Sequence, residues 1–126
     1  MQRFLQVAVD LEVAGLMWHP EVGDEVLDRH SQDLVSILVD PQGMTPTQLR
    51  TVFLWLPTVE QMLTQCEARR GMLFHAGTEI SNVSICYKTI IQAPCGNIES
   101  IGLSFREALG LALRNLLLNN PSMIIN

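Results

Sequence analysis

The sequence predicts an α+β fold with two layers, in which antiparallel sheet or sheets of about five strands carry helices on one face. Three observations support this prediction. Apolar residues recur at helical spacing near both ends of the chain, residues 82–92 alternate strictly between two faces, and capping boxes, with Gln or Glu three positions after Thr or Ser, begin at Thr45, Thr58 and Ser104. The predicted order of elements is α-ββ-αα-βββ-α, in a single globular domain spanning residues 1–126.

The N-terminal part of the chain begins with an amphipathic helix. Phe4, Val7 and Leu11 recur at helical spacing in the first fifteen residues, and Gly15 is placed to end the helix. Residues 22–28 and 34–39 are rich in β-forming side chains. They predict an antiparallel hairpin whose second strand, nearly all apolar, is buried on both faces.

A pair of helices is predicted next. The capping box of residues 45–48, with Pro46 at the first helical position, opens a helix that runs through Phe53. Pro57 disfavours helical geometry in the residue before it. The box of residues 58–61 then opens a second helix, which ends in two arginines and Gly71. We therefore expect a kinked helical pair.

The C-terminal part predicts three strands and a last helix. The strict alternation over residues 82–92 is a strong strand signal. The helix opens at the box formed by Ser104 and Glu107. In order, the expected elements are a strand at 72–76, a turn at 77–78, a strand at 82–92, a turn at 93–97, a strand at 98–103 and a helix ending at 119–121.

Charge and hydropathy argue against nucleic acid as a partner and against a membrane-spanning helix. The net charge is −5, and it is uneven: residues 1–40 sum to −6 and the remainder to +1. Lys88 is the single lysine, and no basic run is present, so binding to nucleic acid is not expected. No stretch approaches the roughly 18 consecutive apolar residues that a membrane-spanning helix requires. Charged residues make up 17% of the chain and hydrophobic residues 48%. This low share of charged residues favours association with protein.

The positions of cysteine and glycine argue against a secreted protein, a cysteine nucleophile and a glycine-rich phosphate loop. The three cysteines lie in no CxxC spacing, which favours a reducing cytoplasm, and Asp10 and Glu12 interrupt the apolar stretch that a secretory signal needs. A nucleophile formed by Cys86 or Cys95 with His75 is the weaker interpretation, because nothing adjacent in sequence would stabilise a thiolate. No glycine-rich phosphate loop is present, and no cofactor is predicted.

Carboxylates and imidazoles are concentrated between residues 19 and 30. The candidate metal ligands are His19, Glu21, Asp24, Asp28 and His30. On a strand, Asp24 and Asp28 share one face while Glu25 points away, and no HExxH, HxH or EF-hand spacing is present. The favoured interpretation is an exposed acidic hairpin, with a metal site as the alternative.

Two apolar segments are candidates for an interface. They comprise Val52, Phe53, Trp55 and Leu56 in the middle of the chain, and Met123, Ile124 and Ile125 near its end. Apolar surplus in a small domain marks an interface with a partner or a second copy. The alternative is that the domain folds over both segments. If the chain associates, a twofold homodimer is the default.

Two local resemblances point to regulators. From residue 58 onward, the order α-β-β-β-α resembles that of double-stranded-RNA-binding-like domains. Residues 102–109, Gly-Leu-Ser-Phe-Arg-Glu-Ala-Leu, resemble the strand-to-helix junction of HicB-like antitoxin domains. The first resemblance implies basic residues at the start of the last helix, where this sequence has Arg106 beside Glu107.

Three functional hypotheses follow from the sequence. We expect a cytoplasmic, non-enzymatic binding module, either adaptor or regulator, that acts as a homo-oligomer. The alternative is a small metal-assisted hydrolase that uses the segment 19–30. The third is an antitoxin-like regulator, which depends on topology alone.

Overall fold

The computed structural model describes residues 2–31, 34–80 and 82–119, with side chains from residue 4 onward. Within these ranges the fold is α+β, with four helices and two three-stranded antiparallel sheets. The elements are α1 (Gln2–Val13), β1 (Glu25–Asp28), β2 (Val35–Ile37), α2 (Pro46–Val52), β3 (Phe53–Trp55), α3 (Val59–Ala68), β4 (Met72–Ile80), β5 (Ile85–Ala93), β6 (Gly96–Gly102) and α4 (Phe105–Asn119). None of these helices is long and apolar enough to cross a membrane.

The first sheet has the order β2-β1-β3 and is antiparallel throughout. In the centre of the sheet, Val26 lies opposite Ser36 on one side and Trp55 on the other. The second sheet has the order β4-β5-β6 and is also antiparallel. Its register shifts between Leu73 and His75, which makes Phe74 an extra residue in β4.

The capping boxes form as the sequence predicts. Thr45 Oγ1 accepts the Gln48 N–H at 3.2 Å, and Gln48 Oε1 accepts the Thr45 N–H at 2.8 Å. The box at the start of α3 has the same two bonds. At α4, Ser104 Oγ accepts the Glu107 N–H, while the Glu107 carboxylate accepts from the N–H one residue before the cap. These contacts are local, so the sequence alone locates them.

The kinked helical pair is wrong. The helix α2 ends at Val52, and Phe53 adopts extended geometry, with φ −120° and ψ 145°. Residues 53–55 form β3, with Leu54 opposite Leu27 of β1. The apolar, aromatic run suits a strand between two layers, and pairing with β1 satisfies its backbone. This added strand also raises the count to six, where about five were expected.

Two strand predictions also need correction. All three residues of β2 are exposed, so burial on both faces is wrong. β2 lies at the sheet edge, and no element of the described chain makes extensive contact with it other than β1. The turn at 77–78 is wrong as well, because β4 continues through both residues to Ile80. Pairing with nine-residue β5 extends the strand across Gly77 despite its low β-propensity.

The main core gathers buried residues of both sheets around α1, α3 and α4. Its fully buried members include Leu11, Leu56, Met62, Ile91 and Leu113, contributed by four elements and by the segment between β3 and α3. A smaller core of Trp18, Val26, Leu38 and Leu49 fills the space beside the first sheet. The sequence's hydrophobic surplus is therefore divided between two clusters, with one on each side of β3.

Gly110 and Arg106 determine how α4 packs against the N-terminal half of the chain. A Cβ on Gly110 would lie 2.6 Å from Val7 Cγ1, so α1 and α4 approach more closely there than a larger residue permits. Arg106 donates to the carbonyls of Leu56 and Pro57 at 2.8 and 3.0 Å, pairs with Glu25 at 3.2 Å and lies 4.2 Å from the Phe4 ring centroid. Arg106 therefore holds the start of α4 against the N-terminal half.

Candidate functional site: a polar pocket and an uncovered sheet face

Three of the five candidate metal ligands line one pocket. His19, Glu21 and Asp24 meet in a cavity of about 270 Å³ whose opposite wall comes from α3. Asp28 and His30 lie outside it: Asp28 Oδ1 accepts the His30 N–H at 2.8 Å in a turn after β1. Within the described residues, no three His, Cys, Asp or Glu side chains are placed to hold a metal ion. The metal site stays a prediction.

Asp24 is a buried carboxylate with three hydrogen bonds. Its Oδ2 accepts from Trp18 Nε1 at 2.8 Å and from the Glu21 N–H at 3.0 Å. Its Oδ1 accepts from Gln61 Nε2 at 2.8 Å, across 37 positions of the chain. Asp24 is 7% exposed, and both of its carboxylate oxygens are engaged by these donors. The residue therefore joins the loop after α1 to the start of α3.

The mid-chain interface candidates divide between core and surface. Leu56 is fully buried in the main core, whereas Val52, Phe53 and Trp55 are half-buried. In the described chain, Trp55 Nε1 is the one buried side-chain nitrogen or oxygen without a hydrogen-bond partner. Trp55 also lines a mainly apolar cavity of about 310 Å³ beside α1. Met123, Ile124 and Ile125 lie outside the described residues.

The cysteines differ in environment. Cys66 is buried in the main core, and burial raises the pKa of its thiol to about 11, against the opposing charge of Arg69. Cys86 is half-buried on β5, and its Sγ lies 3.6 Å from the Glu79 carbonyl. Cys95 is exposed on the turn between β5 and β6. Raised pKa and burial make Cys66 a poor nucleophile.

The second sheet has one face that no described helix covers. α4 packs on the inner face, where Thr89 is fully buried and its Oγ1 donates to the Ala108 carbonyl at 3.2 Å. We call the opposite side the outer face. The register and the alternation of side chains place Met72, Phe74, His75, Gly77, Glu79, Cys86, Lys88, Ile90, Gln92, Asn97, Glu99 and Ile101 on it.

Large apolar side chains are exposed on this outer face. Met72 is 68% exposed, Phe74 64% and Ile101 54%. Between them, Lys88 Nζ pairs with Glu99 at 2.8 Å and lies 3.9 Å from Glu79. The hydrogen bond to Glu99 and the charge of Glu79 raise the pKa of Lys88. The outer face thus combines apolar side chains with charges of both signs.

The far end of the β4–β5 hairpin is uncovered on its inner face as well. We call residues 76–80 and 85–87 the arm. Ile80 and Ile85, which pair across the two strands, are 77% and 61% exposed, and α4 makes no extensive contact with β4. Sequence alternation identified the strand β5 but did not reveal that its first half projects beyond the helix.

Arg106, the basic residue that the RNA-binding-like topology implies for contact, is engaged inside the protein. The order α-β-β-β-α from residue 58 is confirmed, with α3, β4, β5, β6 and α4 in succession. Comparison of the chain with protein families, with curated proteins and with solved structures finds no match.

Proposed function

We propose that this protein is a non-enzymatic binding module that associates with a second copy of itself through the β4-β5-β6 sheet. The observation that supports this proposal is the exposure of Phe74, Ile101 and Met72 on a face that α4 leaves uncovered. Large apolar side chains exposed together on one face of a small domain mark an interaction site. The free thiols of Cys86 and Cys95 are in keeping with a reducing cytoplasm.

A second copy is the partner because the surface is complementary to itself. In a twofold interface the same patch of each copy meets its counterpart on the other copy. Charged residues on that patch are therefore paired only if the patch carries both signs of charge. Lys88 and Glu79 lie next to each other on the outer face, with Phe74 and Ile101 on either side of them along the sheet. A partner of single charge would leave one of these signs unmatched.

Light scattering of the full chain over a concentration series tests the proposal. We expect a dimer, and we expect the variant Phe74→Ser/Ile101→Ser to shift it to monomer, because each such side chain contributes about 1.5–3 kcal/mol when fully buried. Val13→Ser is the control, since Val13 is 81% exposed on α1, a helix that makes no extensive contact with β4, β5 or β6. This control should leave the dimer intact.

The result that overturns the proposal is a monomer at every concentration tested. Equal loss of the dimer in the Val13→Ser control would also contradict it, because the effect would then not be specific to the sheet. The variant Ile124→Ser/Ile125→Ser tests the other predicted interface segment: loss of the dimer in this variant alone would move the interface from the sheet to the end of the chain.

A further inference from the structure

The second sheet ends in a long free edge. β4 has nine residues and pairs with β5, and no strand of the described chain lies on its other side. From the bulge onward, Glu79 is its one carboxylate. Unpaired strands of this length pair readily with another chain unless charge, proline or strong twist prevents it. β4 contains no proline, and its bulge lies near its start.

Geometry restricts how two β4 strands can pair about a twofold axis. Directly opposite residues of antiparallel strands lie on the same face, so residue 77 can face residue 77 but not residue 78. The regular part of β4 begins after the bulge at Phe74. A pair centred on position 79 places two Glu79 carboxylates together, which is destabilising. A pair centred on Gly77 places Glu79 opposite His75.

We propose that two copies of the chain pair antiparallel through β4 with Gly77 at the twofold axis, so that His75 of each copy faces Glu79 of the other. This inference rests on the proposed self-association, and it places the contact at the free edge of β4 and the adjoining strip of the outer face rather than across the whole outer face. The result is a continuous six-stranded sheet with two identical imidazole–carboxylate contacts, one on each side of the axis. An imidazole N–H donates to a carboxylate in both the neutral and the charged state.

The conformation of His75 agrees with this register. A Cβ on Gly77 would lie 3.2 Å from His75 Nε2, so the imidazole extends along β4 towards the proposed axis. Glycine at position 77 leaves room for the ring. The Glu79 carboxylate has Lys88 at 3.9 Å, whereas Lys88 lies 2.8 Å from Glu99, so a close donor from a second copy can be accommodated.

The same register covers the arm. With Gly77 at the axis, Ile80 of one copy, whose side chain is on the inner face, comes level with the bulge in β4 of the other copy, next to the half of the sheet that carries α4 and α3. The arm, which its own α4 does not reach, then packs near the helical layer of the second copy. This arrangement removes Ile80, now 77% exposed, from water.

A charge swap tests the register directly. The variants His75→Glu and Glu79→His each place two like side chains opposite one another, and their combination restores two imidazole–carboxylate contacts. We expect each single variant to weaken the dimer about tenfold and the double variant to return within about threefold of wild type, measured by analytical ultracentrifugation. Glu60→His, on the exposed side of α3, is the matched control and should change nothing.

The outcomes separate this inference from the proposed function. Circular dichroism and thermal unfolding first establish that each variant is folded. A dimer that is indifferent to both single swaps, or one that the double variant fails to restore, overturns the register while the self-association proposal stands. A wild-type monomer at all concentrations overturns both. Weakening by each single swap with restoration in the double variant supports the pairing centred on Gly77.

Discussion

The two sheets differ in where their apolar residues go. In the first sheet, Leu54 and Val26 are buried, and Leu56, just beyond β3, is fully buried in the main core. In the second sheet, Phe74 and Ile101 remain exposed although they lie in long, regular strands. The difference comes from how many faces are covered: residues of β3 pack against both core clusters, whereas the second sheet has α4 on one face. Apolar density along a sequence therefore does not locate an interface.

The largest expected effect comes from Leu56, which the comparison assigns to the core. Leu56→Ala should lower the free energy of unfolding by about 2–5 kcal/mol, because it removes a fully buried side chain and leaves a cavity. The matched variant Ile101→Ala should change the unfolding of the monomer by less than about 0.5 kcal/mol. Urea denaturation measures both. Equal effects at the two positions would contradict the assignment of one to core and the other to surface.

A smaller effect is expected at Asp24, which fixes the loop beside the first sheet. Asp24→Ala should cost about 2–4 kcal/mol, since it leaves the buried Trp18 N–H and the Gln61 amide without their acceptor. Glu21→Ala, at an exposed neighbour, should cost less than about 0.5 kcal/mol. Thermal and urea unfolding at neutral pH are the measurement. A near-neutral Asp24→Ala would show that the three hydrogen bonds add little stability.

Alkaline pH should lower the free energy of unfolding because of the buried thiol of Cys66. Because the folded pKa of about 11 lies above the ordinary value of 9.0, the folded chain keeps this proton after the unfolded chain has lost it. Stability is therefore present below about pH 9 and falls as the pH rises towards 11, by on the order of 2–3 kcal/mol. Urea midpoints from pH 8 to 11 measure the slope. In Cys66→Ala the slope should be flatter, and an unchanged slope would exclude this thiol as the cause.

The smallest effect is expected from divalent metal ions. Asp24 already accepts three hydrogen bonds, so binding an ion through it would require those donors to leave. We expect Zn²⁺, Mn²⁺ and Mg²⁺ to shift the unfolding temperature by less than about 1 °C, since ligand binding to the folded state is what raises it. A clear, saturable stabilisation that is lost in His19→Ala would favour the metal-assisted hydrolase instead.

Local sequence signals predicted the starts of the helices, and nonlocal pairing explains most errors. Thr45 and Thr58 satisfy their caps with residues three positions away, so the pattern is sufficient. Phe53 to Trp55 form a strand because β1, about 27 residues earlier in the chain, pairs with them, and no local pattern contains that information. Proline at position 57 was the one available signal that the helix would not continue.

The candidate site was predicted in part. The sequence indicated a cluster at residues 19–30, and the structure brings three of its members into one pocket. The role of Asp24 depends on Gln61, which is distant in sequence, so it could not be found from spacing. Exposure of the outer face depends on which strands α4 reaches. Periodicity predicts the two faces of β5 but not which one is covered.

The side chain of Gln61 couples the local unfolding of two distant segments. Its Oε1 accepts the Thr58 N–H at the start of α3, while its Nε2 donates to Asp24 in the loop after α1. Fraying of the first turn of α3 therefore releases the loop, and movement of the loop frees the end of the helix. These two distant segments should exchange their amide hydrogens as one cooperative unit, with a shared opening free energy.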